Sequence, residues 1–417
     1  MKTASLPSSP VRSHGMIVAL AVFCVGWGTN VATPFLVRYR ERLDLGDSAT
    51  VSIFTVYVVG ILCSLLVAGP VSDRIGRRRL VVPFMVISAL ASLMLIGGRD
   101  SFALLMCGRL VLGIVSGATF GVAAAWLQEL LGPGSERRAA LTMTAMTYFG
   151  FGFGPITSAI IDRASDHGLV IPFVLHAAVT LVVVPLVLRV PETVGTSVPR
   201  RTGPVRIELG VPPHLRRFFL LAVIPLGIWV FSYPSTGFAL FPVFVADAAG
   251  LDSTGAAVPI AGVAARLTAW SGLFSRPLIA RLGERRGLWV GLGAGTLGFV
   301  FGTLGLIFDS WLPLVPGSMM LGAASGTISA SLLAMVATVA EPNTRGALNS
   351  TMYVVAYFGM GMPTFVTTLG QALSLRGALA VVTVLSAAAC AWAIRLDLRD
   401  GWQHMTDSDA AAKVPTA

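Results

Sequence analysis

Charge is scarce in this chain: Asp, Glu, Lys and Arg make up 12% of its 417 residues, against 55% hydrophobic residues and a mean hydropathy of +0.79. That balance excludes an ordinary soluble domain, of which about a quarter is charged. Hydrophilic stretches are as few, and the one long interruption, Val190 to Arg217, falls near the midpoint. Cys24, Cys63, Cys107 and Cys390 all lie in apolar runs with no C-x-x-C spacing, which argues against a zinc site or a disulfide and leaves packing roles. There is no Walker-type phosphate loop, so ATP is not the energy source. No nucleophile, acid–base pair or metal cluster stands out. Only His176 of the five histidines falls in an apolar run, with no acidic residue near it. A membrane enzyme is therefore the remote alternative, and no cofactor or metal is expected.

What the chain does have is long apolar runs. Taking about 18 apolar residues as enough to cross a bilayer, the spans are 16–37, 51–70, 80–97, 102–131, 140–161, 169–189, 218–246, 255–278, 288–308, 311–338, 347–371 and 376–395. The predicted fold class is all-α integral membrane, with twelve transmembrane helices. A tail (1–15) precedes the first half (16–189), and a linker (190–217) leads to the second half (218–395) and a final tail (396–417). With both termini cytoplasmic, 22 of the 30 Lys and Arg lie in inside segments, 6 in outside loops and 2 within spans. The positive-inside rule selects that orientation. The net charge of +10 is then accounted for by an anionic inner leaflet. Nucleic acid is not expected as a partner, because no basic domain exists outside the spans. Residues 1–15 lack an apolar core and read as a disordered tail rather than a cleaved signal.

Four arginines and Asp73 crowd into Gly69-Pro70-Val71-Ser72-Asp73-Arg74-Ile75-Gly76-Arg77-Arg78-Arg79, between two spans. Gly69 and Gly76 permit close approach and a sharp turn, Asp73 can face a helix N-terminus, and Arg74, Arg77 and Arg78 hold the loop at the cytoplasmic side. This G-x-x-x-D-R-x-G-R-R spacing resembles the signature loop between the second and third helices of the major facilitator superfamily. In the fourth span Gly113, Gly117 and Gly121 recur every four residues, clearing a face for a neighbouring helix. Arg109 lies one turn before them, about 10 Å from the outer end, where an arginine costs about 2.5–3.5 kcal/mol to insert. Snorkelling to the outer headgroups is one way to compensate it. Arg109-Leu110-Val111-Leu112-Gly113 is similar to the family's R-x-x-x-G motif, which implies a role in proton or substrate coupling. In the fifth span Gly150, Gly154 and Pro155 mark a bend. They resemble part of the motif G-x-x-x-G-P-x-x-G-G of the exporting, antiporter branch, with Ser158 and Ala159 in place of the last two glycines.

The second half repeats the first. Leu112-Gly113 and Ser116-Gly117 recur as Leu321-Gly322 and Ser325-Gly326, and Tyr148-Phe149-Gly150 recurs as Tyr357-Phe358-Gly359, both at an offset of 209. The order and common offset indicate duplication, and the resemblance implies two parallel six-helix halves with a substrate site at midplane. The second copy of the signature loop, Ala280-Arg281-Leu282-Gly283-Glu284-Arg285-Arg286, has lost the aspartate. Glu129 and Glu341, at the inner ends of spans 4 and 10, are placed to pair with Arg77 and with Arg281 or Arg285. Asp73 is expected to dock near Arg345, at the start of span 11. Asn30, Phe120, Trp229, Tyr233, Ser325 and Ser329 are substrate-cavity candidates by chemistry and by the spans they occupy, and each is also readable as packing. Arg266 in span 8 belongs to no motif.

The family resemblance implies a secondary transporter in the inner membrane, acting as a monomer on a small amphipathic molecule, with the lipid bilayer and protons as its other partners. Proton-linked efflux is the expectation, with Arg109 and His176 as coupling candidates; uptake by symport or facilitated diffusion is the alternative. Proton linkage has an awkward feature: no acidic residue lies within a span away from the cytoplasmic helix ends.

Overall fold

A computed structural model describes residues 9–200, 210–241, 243, 256–340 and 345–398. The apolar runs form helices because in hydrocarbon each backbone N–H and C=O has to be satisfied within its own segment. In chain order these are α1 Ser9–Asn30, α2 Leu36–Arg42, α3 Asp47–Ile75, α4 Arg77–Gly97, α5 Phe102–Leu131, α6 Glu136–Ala164 and α7 Ile171–Leu188. They continue with α8 Pro213–Leu240, α9 Ala257–Leu282, α10 Glu284–Ile307, α11 Leu314–Val339, α12 Arg345–Phe358 and α13 Met362–Leu398.

Ten stretches among the described residues are long and apolar enough to cross a membrane. The expected twelve differ from that number in two places. The 140–161 run lies in α6, a 29-residue helix in which glycines, threonines, Tyr148, Pro155 and Ser158 within the run itself keep the hydropathy low. The last two runs merge into one 52-residue stretch, which breaks at Ser374, where φ is 66° and ψ 158°. The start of α1 is also earlier than the sequence suggests. Ser9 to Gly15, read as disordered tail, are helical, and Pro10 is tolerated because a first-turn N–H has no helical partner to lose.

The chain divides into two compact units. One takes in the described residues up to Phe35 and from Val56 to Arg200; the other holds Leu36–Thr55 and the described residues from Gly210 onward. Residues 36–55 group with the second unit. There Thr55 Oγ1 lies 2.8 Å from Thr364 Oγ1, and Phe54 stacks on Phe238.

Close helix seams set the geometry of the first unit. A Cβ on Gly113 would stand 2.0 Å from the Tyr57 carbonyl oxygen of α3, and one on Gly117 2.6 Å from that of Ile61. Only glycine lets the two backbones meet there. Gly121 continues the four-residue stripe but not the seam, since a Cβ there meets nothing within 4 Å. A second seam joins α1 to α6: Cβ atoms on Gly150 and Gly154 would each lie 2.6 Å from a carbonyl oxygen, of Phe23 and Trp27 respectively. The duplication is visible as packing in the second unit. Gly322 and Gly326 press on the Thr268 and Gly272 carbonyls of α9, and Gly359, which follows α12, presses on that of Ile228 in α8.

Candidate functional site

The connection between α3 and α4 is a single residue. Gly76 has φ 115°, a conformation L side chains rarely adopt, and a Cβ there would also meet Glu192 Oε2 at 2.4 Å. The turn delivers Arg77 almost wholly buried. Its Nη1 lies 2.7 Å from Asp73 Oδ1 and its Nη2 2.8 Å from Glu129 Oε1, with Nε 3.2 Å from the same Glu129 oxygen. Nη1 also donates to Ser72 Oγ, and Thr193 Oγ1 donates to Glu129 Oε2. The expected Arg77–Glu129 pair is therefore present as a fork from α4 to α5, closed by Asp73 on α3. Gly69 sits inside α3 with open space beside it, so close approach there is not what places it. Arg74 Nη1 turns back to the Pro70 carbonyl.

Glu192 and Thr193 complete this cluster, and sequence reading assigned both to the linker. Glu192 Oε1 accepts from the Arg77 N–H at 2.8 Å and Oε2 from the Arg78 N–H at 3.0 Å. A carboxylate thus satisfies two of the four unpaired N–H groups that begin α4, at the positive end of its dipole. Arg78 reaches the other way, donating from Nη1 to the Leu188 and Val190 carbonyls at 3.0 and 3.2 Å. Trp126 Nε1 donates to the Pro191 carbonyl at 3.0 Å. Residues 188–193 are in this way strapped across the ends of α4 and α5. The one signal that could have found the strap is an acidic residue directly after Pro191, at the end of a span.

Arg109 is buried deep in α5, and what receives its charge is a break in the first span. Pro34 has no N–H to return to the Asn30 carbonyl, so α1 ends at Asn30 and passes into the short 3-10 turn Thr33–Phe35. The last carbonyls of α1 are then free of helical partners. Arg109 Nη1 donates to that of Thr29, and its guanidinium lies 5.0 Å from the centre of the Tyr57 ring. A cation at a helix C-terminus is favourable. Thr29 Oγ1 and Ser116 Oγ, 3.1 Å apart, tie α1 to α5 beside it. Ser158, at a position where the exporter motif has glycine, donates to the Val31 carbonyl at 2.9 Å. It thereby holds the break from the α6 side. Asn30 is buried and accepts from Thr33 Oγ1 through its own Oδ1 at 3.2 Å.

His176 is fully buried in α7, and both ring nitrogens are engaged. Nε2 donates to the Cys24 carbonyl at 3.0 Å, with Thr180 Oγ1 3.1 Å away, and Nδ1 accepts from Ser92 Oγ at 2.7 Å. Trp27 meets it edge-on. This is the setting of a neutral imidazole that ties α7 to α1 and α4.

Of the cavity candidates, Phe120 is half-buried against Phe151. Trp229 stacks on Tyr233 with centroids 5.4 Å apart, and both touch Phe299 of α10. Tyr233 fits the notch at Gly295 and hydrogen-bonds Ser386 at 2.7 Å, which is packing between α8, α10 and α13. Ser325 is buried and Ser329 half-buried on α11. Arg281 is exposed at the end of α9. Its expected partner Glu341 lies outside the described residues, as does the Arg345 side chain.

Comparison with known proteins fits this arrangement. The chain is 26% identical over 398 residues to the class G tetracycline resistance protein of Vibrio anguillarum, covering 92% of this chain and 93% of that one. A shorter match, 30% identical over 115 residues and 27% of each chain, is to the multidrug resistance protein MdtL of Escherichia coli. In fold it resembles the crystal structure of a bacterial homologue of the human lysosomal transporter Spinster, with a TM-score of 0.70 over 99% of this chain and 100% of that one, at 14% identity. The family model of the Major Facilitator Superfamily matches residues 18–300. The chain belongs to the major facilitator superfamily, as a multi-pass membrane transporter and not an enzyme.

Proposed function

We propose that this transporter exports a small amphipathic organic molecule across the cytoplasmic membrane, as a monomer with both termini cytoplasmic, by alternating access in exchange for protons. The observation that carries export is the α1–α6 seam. Gly150 and Gly154 lie against α1 where no side chain fits, directly before Pro155, and Ser158 holds the adjoining break in the first span. That is the stretch that resembles the exporter-branch motif, and the similarity to a tetracycline resistance protein along most of the chain supports the same direction.

Proton linkage is assigned to the Arg77 cluster. Asp73 and Glu129 share one guanidinium, so a proton taken up by either carboxylate loosens one arm of the fork while the other holds. Arg109 contributes a fixed positive charge and cannot itself release a proton. His176, with both nitrogens satisfied as a neutral ring, is left to a structural role. Accumulation of a panel of labelled amphipathic compounds in cells with and without the protein tests export. At least one compound should reach a lower steady state in the expressing cells, and a protonophore should abolish the difference. Higher accumulation in expressing cells would replace export with uptake.

A further inference from the structure

Of the two arginines placed well within spans, Arg109 and Arg266, the second is used by none of the above. It lies nine residues into the 26-residue α9, about 14 Å along its axis, at a depth where an ionisable side chain marks a functional site by default. Thr268, two positions on, packs against Gly237 of α8 and Gly322 of α11. Two residues turn a helix by about 200°, which puts Arg266 on the opposite face. That face is formed by Val263, Arg266, Trp270 and Phe274, with Val263 and Phe274 exposed and the other two half-buried. The guanidinium sits over the Trp270 ring, 4.0 Å from its centroid, and no carboxylate pairs with it among the described residues.

Stacking on one ring face compensates less than placing a bare arginine at this depth costs, yet it leaves the guanidinium edge open. Five N–H donors lie in that plane, in a fork that matches a carboxylate or phosphate. The indole fixes the fork in orientation and depth, so little side-chain freedom is lost when an anion arrives. We propose that Arg266, backed by Trp270, is an oxyanion-binding element that recognises a carboxylate or phosphate-type group on the transported molecule. The substrate class is thereby narrowed to amphipathic organic anions. This rests on the reading of the chain as a transporter. A lipid headgroup offers the same chemistry, but the stacking holds the fork near the middle of α9 rather than at its end.

The test is binding by the full chain in nanodiscs of phosphatidylcholine alone, which needs no gradient and so stands whether or not the export assay succeeds. The probes are matched acid and amide pairs, 1-naphthaleneacetate with its amide and decanoate with decanamide, with affinity read from thermal shifts. At least one acid should bind about ten-fold or more tightly than its amide, the share of a charge-assisted fork. Arg266→Gln should erase that preference while leaving amide binding within two-fold, and Arg266→Lys should keep part of it. Should Arg266→Gln fail to fold, Trp270→Leu carries the comparison, since it keeps the charge but is expected to weaken acid binding selectively. Equal treatment of acids and amides by the unaltered protein, or a preference that survives both Arg266→Gln and Trp270→Leu, overturns the proposal. If phosphatidylglycerol, and none of the free acids, stabilises the protein in an Arg266-dependent way, the oxyanion is a lipid headgroup and the substrate assignment fails.

Discussion

Glu192 offers the sharpest test of how the Arg77 loop is held. Its two oxygens accept from the Arg77 and Arg78 N–H groups at 2.8 and 3.0 Å, and Oε1 also accepts from the Thr193 and Val194 N–H groups. Glu192→Gln keeps an acceptor and removes the charge, so the loss is that of a carboxylate at a helix N-terminus, about 0.3–1 kcal/mol and up to about 2 when partly buried. Glu192→Ala removes the acceptors as well and strands half-buried donors, for about 1–3 kcal/mol. The ranking of thermal unfolding temperatures in detergent should be unaltered protein, then Glu192→Gln, then Glu192→Ala. Gly76→Ala makes the sharper comparison, because its Cβ would meet Glu192 Oε2 at 2.4 Å while also imposing a strained φ of 115°. Combined with Glu192→Ala, the clash disappears and only the strain remains. The two substitutions should then be non-additive by about 0.5–3 kcal/mol. Additive losses, or a Glu192→Ala variant as stable as the unaltered protein, would refute the clasp.

Asp73→Asn should slow transport several-fold with folding and expression nearly intact, because Arg77 keeps its Glu129 pair; normal transport rates would remove Asp73 from the working cluster. Gly113→Ala should lower stability by about 1–3 kcal/mol through overpacking on Tyr57, whereas Gly121→Ala, which meets nothing within 4 Å, should be tolerated; equal effects in a melting assay would contradict the seam. His176→Ala should lower the melting temperature and leave the pH dependence of transport in place, and loss of that dependence would return the histidine to the proton path. For orientation, single cysteines at Arg99 and Asp309 should react with an impermeant thiol reagent added outside, and those at Arg138 and Arg281 only after permeabilisation; the reverse pattern would invert the topology. Asp309, Arg138 and Arg281 are exposed and Arg99 half-buried, unlike Ser72, which is buried and would stay unlabelled on either side.

The helices were legible because span length and hydropathy follow directly from bilayer thickness, and Gly113, Gly117, Gly150 and Gly154 because a small residue every fourth position clears a face for a neighbouring helix, although Gly121 extends that pattern without meeting one. The Arg77–Glu129 pair could be read from charges at facing helix ends. Glu192 could not, since it caps α4 from 115 residues away and one acidic residue in a polar linker carries no pattern. The acceptor for Arg109 was equally hidden. It exists because Pro34 ends α1 early, and nothing near Arg109 in sequence announces that. Trp229 and Tyr233 have the chemistry of ligand contacts, but Gly295 opens a notch that takes the Tyr233 ring into the packing. Residue type alone does not say which way a side chain points on a helix that is apolar all round.

Proton-linked export is tested most directly in proteoliposomes holding the purified full chain, loaded with a compound from the cell assay and given an imposed pH gradient of either sign. Substrate should move against the direction of the proton flux, reverse when the gradient is reversed, and lose that response in the Asp73→Asn and Glu129→Gln double variant. Movement that follows the substrate gradient alone, at a rate indifferent to pH, would contradict the account and leave facilitated diffusion in its place.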